Sequence, residues 1–117
     1  MNTNVKTVEI YERITNIIWR RLAPTFGERT IAAIARNVVA LDSAKYPILQ
    51  HLQVTDQGSR WGTLKYAVQG EGSEDVTAGL DTALDDLFEA LSDLIGRLIV
   101  SKVMTEAKGE AQKEGGQ

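Results

Sequence analysis

The chain has 117 residues, 43% of them apolar and 25% charged, with a formal net charge of −3. That length and balance suit one globular domain with its own core and exclude wholesale disorder. With no cysteine and a single histidine, disulfides, thiolate metal sites, cysteine nucleophiles and multi-histidine metal chemistry are excluded.

Charge is unevenly spread. Residues 1–60 hold eight Lys/Arg against five Asp/Glu, and residues 61–117 hold five against eleven. Opposite-signed halves most simply attract each other, within a protomer or between two copies. An acidic chain is a poor match for nucleic acid, whose phosphates call for a basic surface. Uninterrupted apolar runs such as Val38–Leu41 and Leu98–Val100 fall far short of the ~20 residues that span a membrane. The opening Met1-Asn2-Thr3-Asn4 has no signal-peptide pattern. The expected location is cytoplasmic, without membrane attachment.

Val8, Tyr11, Ile14, Ile18 and Leu22 recur at spacings of three and four, which predicts a helix from about Asn4 to Leu22 that stops at Pro24. Thr25 and Glu28 have the T-x-x-E form of a capping box. They predict a second helix to about Ser43 with Ile31, Ile34, Val38 and Leu41 inward, its alanines allowing close approach of a neighbour. Pro47 opens a short third helix carrying Ile48, Leu49 and Leu52.

Residues 53–75 fit two periods. Trp61, Leu64 and Val68 match a helix from about Arg60 to Gln69, the preferred reading. Leu64, Tyr66 and Val68 alternate as a strand, with Leu52–Thr55 as hairpin partner. Gly70–Ser73 then reads as a connection.

Leu80, Leu84, Leu87, Leu91, Leu94 and Leu98 alternate spacings of four and three, the seam of a coiled coil. The helix they predict runs from Val76 to Ala107, or 32 residues, about 48 Å at ~1.5 Å per residue. A globule of this size is on the order of 35 Å across. Either the helix bends near Gly96, or its apolar end (Ile99, Val100, Val103 and Met104 included) projects into a partner. The expected architecture is therefore all-α: four to five helices over residues 1–108, a long C-terminal helix, and a bundle completed by dimerisation. Residues 109–117 read as a flexible tail. The expected dimer interface is Leu91, Leu94, Leu98, Ile99 and Val103.

Asp81, Asp85, Glu89 and Asp93 recur every four residues opposite the leucines. They form either an ordinary solvated face or a docking face for a basic partner; a weak divalent-ion site is the least favoured reading. Arg13, Arg20, Arg29 and Arg36 could pair with that stripe, and Arg20, Arg21 and Arg29 flank the Pro24 break as an alternative anion site. Trp19, Phe26, Trp61 and Phe88 could line an apolar ligand pocket between helices. His51 stands alone, and Gly70-x-Gly72 lacks the rest of any nucleotide-binding motif. No metal or cofactor is expected. The reading that emerges is a non-enzymatic interaction or regulatory module, a homodimer or adaptor, with a small-molecule sensor as the alternative.

Overall fold

The computed structural model describes residues 3–115. Helix α1 spans Thr3–Phe26 and passes the expected stop at Pro24. Proline there lies in the final turn, so the ring disturbs only a terminus. Gly27 ends the helix instead, through a φ of +91° that glycine alone adopts without steric cost. The Thr25–Glu28 capping box therefore does not form. Thr25 belongs to α1, and α2 (Glu28–Asp42) starts directly after Gly27 with no side-chain cap.

A 3-10 turn at Pro47–His51 replaces the short third helix. The stretch that fitted two periods contains both structures, in succession. Strands β1 (Gln53–Thr55) and β2 (Gly58–Arg60) form an antiparallel hairpin, with Gln53 opposite Arg60 and Thr55 opposite Gly58. Helix α3 then covers Gly62–Ala67. The Thr55 hydroxyl donates to the Gly58 carbonyl at 2.9 Å and closes the turn, which fixes the second strand before Trp61. Leu64 and Val68 are buried while Tyr66 is exposed. A strand would point all three the same way, so this segment is helical.

Helix α4 covers Ser73–Ile95, with Glu74 and Asp75 in its first turn, where negative charge suits the helix dipole. Its N-cap is Gly72, and Ser73 is already helical. Gly96, at φ +118° and ψ 137°, breaks the long helix. Helix α5 (Arg97–Gly115) folds back against α4 and lies along α1, where Arg21 pairs with Glu106 and Glu110, both at 2.8 Å. The bend at Gly96 is thus the alternative the chain adopts. It keeps the molecule within 38 × 34 × 22 Å. The stretch expected to be a loose tail is helical through Gly115, because Ala107 and Ala111 pack into the interior; residues 116–117 lie outside the described residues.

Two buried clusters fill the fold. The larger joins α1, α2, α4 and α5 through Ile18, Trp19, Ile31, Val38, Leu91, Val100 and Met104. The smaller packs Val8, Leu49, Trp61, Leu64, Val68, Val76 and Leu80 beneath the 3-10 turn and α3. Asn4 is buried at its edge and donates through Nδ2 to the carbonyls of Val68 (2.9 Å) and Glu71 (2.8 Å). That amide ties the start of α1 to the connection before α4.

Candidate functional site

The leucine seam divides at the α4–α5 corner. Leu80, Leu84, Leu87 and Leu91 are buried, whereas Leu94 is 55% exposed, Leu98 88% and Ile99 52%. The expected interface therefore needs correction at two of its five positions. Leu91 belongs to the core, and Val103 is half-buried and packs against that same core. The overhang argument for a partner also changes. Val100 and Met104 are covered by the chain itself, because the break at Gly96 turns them inward.

Beside this corner lies an open groove between α2 and α4. Ala33, Ile34, Ala90 and Leu94 line it, with Arg29 on the α2 side and Asp93 on the α4 side. The small side chains at 33 and 90 leave the recess. Alanine-rich α2 signals close approach of a neighbour, but that face is only partly filled by α4.

Asp81, Asp85, Glu89 and Asp93 all lie on the exposed face of α4. They are not equivalent. Asp81 accepts a hydrogen bond from the Tyr11 hydroxyl, and Glu89 pairs with Arg97 at 2.8 Å. Asp85 and Asp93 make no ion pair among the described residues. The arginines expected to meet the stripe go elsewhere. Arg36 pairs with Asp56 in the hairpin turn at 2.8 Å, and Arg29 reaches the same carboxylate at 3.8 Å. Arg21 is committed to α5, so the cluster expected around Pro24 is dispersed. Such exposed pairs contribute about 0–1 kcal/mol each.

Trp19 and Trp61 line one apolar cavity of about 40 Å³, which lies between the two buried clusters and is bounded also by Tyr11, Val38, Leu52, Leu80 and Leu84. Phe26 and Phe88 do not reach it. Phe26 packs at the end of α1, and Phe88 lies under the Arg97 guanidinium, 5.4 Å from its ring centre. The Trp61 indole donates to Ser59 Oγ at 2.8 Å, while the buried Trp19 indole N–H has no acceptor.

The sequence reading missed Asp42, at the end of α2. Its carboxyl is pushed up from 3.8 to about 6, first by burial and then by neighbouring Asp86, with Lys45 opposing. One carboxyl oxygen is fully enclosed without a hydrogen-bond partner. Nothing local in the sequence brings residues 42 and 86 together. His51 is exposed. Among the described residues, no three His, Asp or Glu side chains gather as a metal site requires, and no helix is long and apolar enough to cross a membrane.

Comparison with protein-family models, curated proteins and solved structures finds no match to this chain.

Proposed function

We propose that the chain is a non-enzymatic, cytoplasmic interaction module that works as a homodimer through its α4–α5 corner. The observation that carries this reading is the exposure of Leu94, Leu98 and Ile99 together, on either side of one turn. Single exposed leucines are ordinary, but a cluster that stands beside an apolar groove is a contact surface. The patch is rimmed by both signs of charge, Arg29, Asp93 and Arg97, which suits a surface that meets its own copy about a two-fold axis. Replacing Leu94 and Leu98 by glutamate should leave the helical circular dichroism unchanged and reduce the mass in solution to that of one chain. A mass unaffected by the double replacement would sink the proposal.

A second reading, a small-molecule sensor, is favoured by the cavity that Trp19 and Trp61 share. At about 40 Å³ it holds little more than a water-sized guest, so a larger ligand requires the β1–β2 hairpin to shift. Tryptophan fluorescence titrated with a panel of small apolar compounds reads this directly. A saturable change supports sensing, and a flat response across the panel removes it.

A further inference from the structure

We infer that the two copies join by reciprocal insertion, with Leu98 and Ile99 of each entering the α2–α4 groove of the other. This rests on the homodimer reading and adds the receptor for its apolar knob. The groove adjoins the knob in the same chain: Leu94 belongs to the groove wall, and Leu98 follows directly across the Gly96 turn. A two-fold axis passing near the corner therefore sets each knob against the other copy's groove.

Charge selects a second copy over a foreign segment. Arg29 stands on one rim with its side chain 92% exposed, held only by a 3.8 Å contact to Asp56, a carboxylate that Arg36 already engages at 2.8 Å. Asp93 stands on the other rim and makes no ion pair among the described residues. Arg97, nearby, is occupied by Glu89 and the Phe88 ring. A purely acidic or basic segment satisfies one rim and opposes the other, and an anionic lipid surface opposes Asp93. The same chain, turned through a half circle, brings Arg29 to Asp93 of the second copy twice over. That self-complementarity fixes register as well as partner.

Because the chain has no cysteine, the pairing can be trapped. The variants Leu98→Cys and Ala33→Cys are prepared separately, mixed, and oxidised gently. Both positions are exposed, so neither change disturbs the core. The expected result is a disulfide-linked species of twice the 12.8 kDa chain mass that contains one chain of each variant and exceeds the homodisulfide products of either variant alone. Charge reversal gives an independent reading. Arg29→Asp and Asp93→Arg should each weaken dimerisation by about tenfold, and the double reversal should restore it.

The two ways of failing are distinct. If the unmodified chain dimerises but the mixed variants do not cross-link and the double reversal restores nothing, the insertion is wrong and the homodimer stands. An unmodified chain that stays monomeric at every concentration overturns both, and leaves the corner to a different protein.

Discussion

Leu80, Leu84, Leu87 and Leu91 differ from Leu94 and Leu98 in nothing the side chains themselves carry. All six share one spacing rule, and the first four are buried while the last two face outward. The difference lies in what stands opposite. Upstream, α1, α2 and the 3-10 turn cover the seam. Downstream, the break at Gly96 rotates the chain out of phase, and a new inward row of Val100, Met104, Ala107 and Ala111 takes over. Periodicity therefore identifies a face, and a single glycine decides how far that face remains the inside.

The largest test of this contrast compares one leucine from each side. Leu91→Ala should cost about 2–5 kcal/mol, because a fully buried side chain leaves a cavity. Leu98→Ala should stay within about 0.5 kcal/mol of the parent when measured at dilutions where the chain is monomeric. Urea denaturation of both variants checks the pair, and equal losses would erase the distinction.

A smaller effect probes the break itself. Gly96→Ala places a Cβ at φ +118°, which costs about 1–3 kcal/mol of backbone strain even though the space around it is open. Relief by straightening α4 into α5 would pull α5 away from α1. Thermal melting should show the loss, and small-angle scattering should show a radius of gyration above 13.5 Å if the helices straighten.

The smallest prediction concerns the far end of the α2–α4 contact. Asp42 titrates near 6 in the folded chain, above its ordinary 3.8, so the folded state holds that proton more tightly than the unfolded state does. Its contribution is fully present below about pH 3.8 and is lost as pH rises through about 6. The loss should be on the order of 1 kcal/mol, since solvent screens part of the interaction. Asp42→Asn should remove this slope and make the chain more stable than the parent at pH 7, as read by urea melts between pH 4 and 7.

How much of this was legible in the sequence follows from how local each cause is. The helical face of α1, the inward leucines of α4 and the possibility of a bend at Gly96 rest on spacing within one segment, and spacing is visible. The end of α1 was misplaced because Pro24 was given the role that Gly27 plays; a proline in a terminal turn disturbs little. Trp61 was seen as an anchor, but the hairpin before it depends on the Thr55–Gly58 hydrogen bond, which leaves no periodic trace. Leu91 and Val103 were assigned outward because one unbroken helix was carried past the glycine. The groove and the Asp42–Asp86 neighbourhood stayed hidden for a different reason. Each joins residues more than forty positions apart, and only the packing of α2 on α4 brings them together.

The account turns on what covers the corner that Gly96 creates. Light scattering after size exclusion on the unmodified chain, across a wide dilution series, tests it most directly. The account predicts twice the 12.8 kDa chain mass at the concentrated end, falling toward a single chain on dilution. A constant single-chain mass across the whole series would contradict it.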